Sequence, residues 1–155
     1  MVQSAGILAY RIKQKIKECL LVHPGGPFYV NKDIGAWSIP KGEFTVEELP
    51  LLAAQREFFE ETGIQVTGNF IELKPVKLKS GKVVYAWAVE FDLDASIVKS
   101  NTFQLEWPPK SGKFKSFPEI DKAEWMDFTV AKEKINAVQA AFIDQLETIL
   151  NTRNI

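Results

Sequence analysis

Three glutamates, Glu57, Glu60 and Glu61, constrain this chain more than any other feature in it. They stand at i, i+3 and i+4, so a helix turning about 100° per residue carries all three, with Ala53, on one face. Like charges at those spacings repel by roughly 0.2–0.5 kcal/mol a pair. Gly63 reads as the helix stop, which leaves the acids in the last two turns, where the dipole disfavours negative charge by about 0.3–1 kcal/mol each. A run that breaks local rules in this way points to function. The simplest compensating partner is a hard divalent cation, Mg²⁺ first and Mn²⁺ as the alternative, because it accepts a few carboxylates and leaves room for water and phosphate. Leu51, Ala54 and Phe58 form the stripe that buries against a sheet, so the Glu face is expected to turn towards solvent and substrate. Thr45 with Glu48 has capping-box spacing and Pro50 suits a first turn, which favours a start near Leu49. Arg56 lies off both faces and is expected to bridge to Glu48.

The segments around this helix read mostly as strands. Ser4–Tyr10 is a central strand, 11–17 a polar hairpin connection and Cys19–Val22 a returning strand. His23-Pro-Gly-Gly-Pro27 breaks regular structure, and Trp37–Pro40 is a short strand leading into the acidic region. Strands are expected over 65–73 and 76–78, a tight turn at 79–81, and the clearest strand of all over 82–91, apolar for eight residues. Lys82 is the strongest phosphate-binding candidate among the lysines of that hairpin, and Lys41 stands directly before Gly42. Trp107, beside Pro108-Pro109 and a mobile basic loop at 110–115, and Tyr85 are each candidate platforms for stacking a nucleobase. Thr129 is the expected N-cap of a final helix to Leu150, with Val138, Phe142, Leu146 and Ile149 as its apolar stripe.

Gly42, Glu48 and Arg56-Glu-Phe-Phe-Glu-Glu-Thr-Gly-Ile64 match all nine specified positions of GX5EX7REUXEEXGU, where U is a bulky apolar residue. Seven are fixed identities, each met by chance at under about a tenth, so an accidental match is rarer than roughly one in ten million. This pattern resembles the signature of the Nudix hydrolases. The resemblance implies an α/β fold, a Nudix-type α/β/α sandwich with a mixed β-sheet, in one domain over 1–155. It also implies a metal site at Glu57, Glu60, Glu61 and Gly42, with Arg56 and Glu48 in structural support. Pro-Lys-Gly at 40–42 is typical of family members that cleave dinucleoside polyphosphates or diphosphoinositol phosphates. Together with the HPGGPF, WSIPKGE and Glu-Trp-Pro-Pro segments, it resembles a bacterial branch of nucleotide pyrophosphohydrolases grouped with diadenosine tetraphosphate hydrolases. In several Nudix hydrolases a further glutamate, six residues before a Trp that starts the next strand, serves as metal ligand or general base. Glu119 and Trp125 have that spacing, while Glu106, Asp121, Glu124 and the acids of the helix remain alternatives.

The expected reaction is Mg²⁺-dependent cleavage of a phosphoanhydride in a nucleoside diphosphate linked to another group, with diadenosine tetraphosphate as the preferred substrate. Nucleoside triphosphates and ADP-ribose are alternative substrates, and a nucleotide sensor without turnover is the competing reading of another class. Degraded box acids would favour the sensor, and none is degraded. Other classes are excluded by composition. A net charge of −1 over 155 residues argues against a stable nucleic-acid partner. The single histidine, His23, rules out a multi-histidine metal site and reads as a strand-end residue fixing its loop. The single cysteine, Cys19, cannot form an internal disulfide and reads as a buried small apolar residue. No run approaches 18 apolar residues, so neither export nor membrane insertion is expected, and the protein is placed in the cytoplasm as a monomer or homodimer.

Overall fold

Strand β1 (Gln3–Lys13) is the axis of the molecule. In the computed structural model, which describes residues 3–153, β1 pairs in parallel with β6 (Val83–Glu90) along one edge. Along the other it pairs antiparallel with β2 (Ile16–Pro24) and with β3 (Lys41–Phe44). Short strands β4 (Ile71–Glu72) and β5 (Val76–Lys77) attach to β6, and β9 (Ile120–Asp127) attaches to β2. The result is a mixed seven-stranded sheet. Strands β7 (Thr102–Glu106) and β8 (Phe114–Pro118) form a separate two-stranded ribbon.

Alternation along the central strands explains why both faces are covered. Ala5, Ile7 and Ala9 of β1 join Leu20, Trp87 and Val89 in a cluster with Ala53, Ala54 and Phe58 of helix α1 (Pro50–Thr62). The small Ala residues on both sides of this contact let the helix lie close to the strand. Leu8 and Tyr10 join Cys19, Leu21, Val84, Ala86 and Ala88 in the opposite cluster. That cluster packs on helices α2 (Phe128–Lys134) and α3 (Ala140–Arg153) through Phe142, Ile143 and Leu146. The architecture is an α/β/α sandwich. Burial pushes the Cys19 thiol up to about 12, so it acts as a small apolar group.

Several local expectations are corrected. The connection at 11–17 shrinks to Gln14-Lys15, both with positive φ (51° and 69°), because β1 and β2 run on to meet through Lys13↔Ile16. Of 65–73 only Ile71–Glu72 pairs in the sheet, and at 37–40 only isolated bridges form, Val22↔Ser38 and Trp37↔Ile135. The C-terminal helix is two helices. Asp127, not Thr129, caps α2 by accepting from Val130 N, and Asn136 accepts from Val138 N in the break before α3. For α1 the later start holds, with Pro50 in the first turn and Leu49 giving no side-chain cap. Thr45 and Glu48 form no capping box: the Thr45 carbonyl accepts from Glu48 N at 3.1 Å in a turn, while the Glu48 carboxylate goes to Arg56. Gly63 ends the helix with φ 75° and donates to Phe59 O.

Candidate active site

Gly42 faces Ala5 on β1, and Ala5 in turn faces Tyr85 on β6, so one row across three strands lies beneath α1. The Glu57 carboxylate is pressed against Gly42, where a Cβ would occupy the same space. Glycine at 42 therefore makes room for an acid. The next acid of the face, Glu61, accepts from Lys41 N at 3.2 Å. The Glu face is thus turned onto β3 and not out to solvent: Glu57 is buried and Glu61 half-buried, which corrects the expectation from periodicity.

Burial has an electrostatic consequence. It pushes the Glu61 carboxyl up to about 8, against the pull of Lys41, and it raises Glu57, with the Glu60 charge adding to the effect. Burial likewise lowers the Lys41 ammonium, chiefly opposed by Glu61. Arg56 is the cation among these acids. Its Nε and Nη2 donate to the two oxygens of Glu48, both at 2.8 Å, and Nη1 donates to Glu57 at 2.9 Å and Glu60 at 3.2 Å. Spacing alone connected Arg56 only with Glu48; the reach to Glu57 and Glu60 became visible with the fold. These charge-assisted bonds, the bidentate pair to Glu48 first, hold the guanidinium well above its ordinary value.

Glu119 reaches the site from the foot of the ribbon, directly after β8. Its N–H donates to Asn101 O at 2.9 Å, and Asn101 N donates to Glu60 O at 2.9 Å, at the carbonyl end of α1. The Glu119 carbonyl accepts from Gly25 N at 2.8 Å. Burial, then the charge of Glu60, raises its carboxyl. The alternatives are engaged elsewhere or turned outward. Glu106 accepts from Lys110 N at 3.1 Å and Gly112 N at 3.2 Å, and so ties down the basic loop expected to be mobile. Asp121 lies 2.8 Å from His23 Nδ1, and Glu124 is exposed on β9. Trp125 is the sixth residue of β9 and not its first, so Glu119 immediately precedes the strand.

His23 donates from Nε2 to the Lys32 carbonyl at 2.6 Å, so both ring nitrogens are occupied and it anchors the 24–36 loop. Lys82 donates to Glu43 at 2.7 Å and lies near enough to Lys41 to depress it. Glu43 was missed in the sequence because it falls at an unspecified box position. Tyr85 and Trp107 are not brought together. Tyr85 accepts from Gln3 Nε2 and packs on Phe44, whereas Trp107 meets Phe28 edge-on at 5.5 Å, at the tip of the ribbon. Phe28 and Phe44 had no distinguishing sequence signal.

Among the described residues, no three acidic, His or Cys side chains form a ready-made metal cage. The donor set still fits a hard divalent cation, because burial first and neighbouring acids second make Glu57, Glu61 and Glu119 bind protons more readily than usual, and a cation would offset the same cost of burying negative charge. No helix among the described residues is long and apolar enough to cross a membrane.

The fold is a mixed sheet between helices, with an acidic helix lying on a glycine-bearing strand. The family model for the NUDIX domain matches residues 2–146, and the chain belongs to the Nudix family. With the family and the intact box, it is a pyrophosphohydrolase. Solved structures agree in fold. An Ap4A hydrolase from C. elegans, in a binary complex, is 22% identical with a TM-score of 0.66, covering 98% of this chain and 99% of that one. The NUDIX domain of Shewanella oneidensis NrtR, complexed with ADP ribose, is 16% identical with a TM-score of 0.64, covering 97% and 88%. The C-terminal domain of mouse MUTYH, in complex with human PCNA, is 15% identical with a TM-score of 0.62, covering 97% and 90%. No curated protein matches the sequence significantly.

Proposed function

We propose that this protein hydrolyses a phosphoanhydride in a nucleoside diphosphate linked to a second group, with (di)nucleoside polyphosphates such as diadenosine tetraphosphate as the preferred substrate. The observation that carries this reading is the convergence of Glu119 on Glu57, Glu60 and Glu61, across 59 residues of sequence from Glu60, with Gly42 cleared for Glu57. Glu57, Glu60 and Glu61, beside Gly42, would hold Mg²⁺, or Mn²⁺ in its place. Bound there, the ion offsets negative charge on the phosphate oxygens and makes a neighbouring water more acidic.

The chain's own groups do the rest. Glu119 accepts the proton as water oxygen bonds to phosphorus, and the anhydride oxygen leaves with the bonding electron pair. A carboxyl raised by burial suits that role, since its proton affinity lies closer to neutral pH. Lys41 and Lys82 neutralise the outer phosphates. Arg56 and Glu48 keep α1 in register with the preceding loop, and Tyr85 offers a stacking face for a base. We place one such domain over 1–155, in the cytoplasm, as a monomer or homodimer without nucleic-acid or membrane partners.

The test is ion-exchange analysis of products after incubation with Mg²⁺ and diadenosine tetraphosphate, ADP-ribose or nucleoside triphosphates, with Glu60→Gln as control. ATP and AMP from the tetraphosphate, absent with the variant, is the expected result. Intact tetraphosphate beside cleaved ADP-ribose or triphosphate overturns the substrate, and an intact panel that nevertheless binds overturns turnover itself.

A further inference from the structure

The ribbon β7–β8 is not part of the main sheet, yet its feet stand in the site, at Asn101 and Glu119. Its two faces differ. Cross-strand pairs Phe103↔Phe117 and Leu105↔Lys115 lie on one face, with the two phenyl rings 6.0 Å apart. The next step outward joins Trp107 N to Lys113 O at 2.8 Å. This face is turned to the 24–36 loop, since a Cβ on Gly26 would meet the Phe103 ring at 3.0 Å and Phe28 packs on Trp107. It is apolar near Glu119 and aromatic and cationic at the tip. Five strand residues carry that tip about 17 Å from the foot.

A second aromatic pair, Phe44 with Tyr85, lies on the other side of the acids, Tyr85 being two strand spacings, about 10 Å, from Gly42. The order across the site is therefore aromatic pair with Lys82, acids, lysines with aromatic pair. We propose that the tip of the ribbon, through Trp107, Lys113 and Lys115 against Phe28, is a second subsite that holds the distal nucleoside and adjoining phosphates of a two-ended nucleotide. It rests on the reading of the acids as the phosphoanhydride-cleaving centre and deepens it, by making two-endedness the basis of selection. The tip lies too far out for a group bonded directly to the phosphate at the acids. It suits one separated from that phosphate by further phosphates and a ribose. The lysines complement polyphosphate charge, and the aromatic face accepts any base.

The experiment compares diadenosine tetraphosphate with adenosine tetraphosphate, which lacks only the distal nucleoside. The wild-type protein is expected to favour the dinucleoside in kcat/KM, and the ratio should fall roughly tenfold in Trp107→Ala, through KM and not kcat, whereas the double variant Lys113→Ala/Lys115→Ala should raise KM for both substrates, which share the phosphates. Phe114→Ser, on the ribbon's exposed outer face, controls for loss of the ribbon and should keep the ratio. Equal wild-type values, or a Trp107→Ala variant that depresses both substrates alike, overturn the subsite. If neither substrate is cleaved, the hydrolytic reading fails and the subsite is still tested by equilibrium binding without divalent metal. There the wild-type protein must bind the dinucleoside more tightly and Trp107→Ala must lose that preference; equal binding by the wild-type protein overturns the proposal.

Discussion

Replacing Glu61 with glutamine should convert a pH-dependent stability into a flatter one. The folded carboxyl titrates at about 8 and the ordinary value is 4.5. Below pH 4.5 both folded and unfolded chains hold the proton, and the group contributes nothing to the pH slope. Between 4.5 and 8 the folded chain keeps a proton that the unfolded chain has released, so stability falls as pH rises, by up to about 1.4 kcal/mol per unit. Above 8 both are ionised and the penalty is constant, on the order of 5 kcal/mol for the whole span. That is large beside a total stability of about 5–15 kcal/mol. Urea denaturation followed by tryptophan fluorescence, from pH 5 to 9 in chelator-containing buffer, should show Glu61→Gln gaining on the wild-type protein through this window and levelling off above 8. Titration shared by the two proteins cancels on subtraction. Excess Mg²⁺ should restore the wild-type protein by about 2.7 kcal/mol at a hundredfold excess over Kd, and the variant by less. A wild-type-minus-variant difference that stays constant from pH 5 to 8 would refute the placement of Glu61 in a desolvated site.

Gly42→Ala should leave the urea midpoint nearly unchanged and lower kcat/KM by about 10²-fold, since the added Cβ displaces the Glu57 carboxylate while the strand tolerates alanine. Arg56→Lys, which cannot reproduce the fork on Glu48 and also reach Glu57 and Glu60, should cost about 1–2 kcal/mol of stability by urea titration and depress turnover. Phe58→Ala, fully buried beneath α1, should cost about 3–5 kcal/mol by the same titration and lower activity only through the fraction of protein unfolded, with no selective change in KM.

Legibility in the sequence followed the range of the interactions. The helix 50–62 was readable because Pro50, Phe58 and Gly63 each act within a turn or two, and the box spacing carried the class of fold with it. The hairpin connection was read as 11–17 and not as Gln14-Lys15 because that pair lacks the Asn-Gly or Asp-Gly signature of a tight hairpin, so its positive φ values have no local marker. The division of the last helix was hidden because apolar periodicity continues across Ile135–Gln139, while the break is made by the distant bridge from Ile135 to Trp37. The orientation of the acids was misjudged for a related reason. Periodicity separates the faces of α1, but only β3 passing beside it shows that the Glu face is also covered.

The pinning of both ribbon feet separates two problems for this protein's history. Asn101 is tied to the end of α1 and Glu119 to Asn101, so main-chain bonds fix the distance from Glu60 to Glu119 without reference to residues 102–118. Residues can be added or removed in pairs along the arm, and its tip exchanged, while the reacting centre keeps its dimensions. Reach can therefore vary among descendants of this chain without a matching change in the helix that carries the acids.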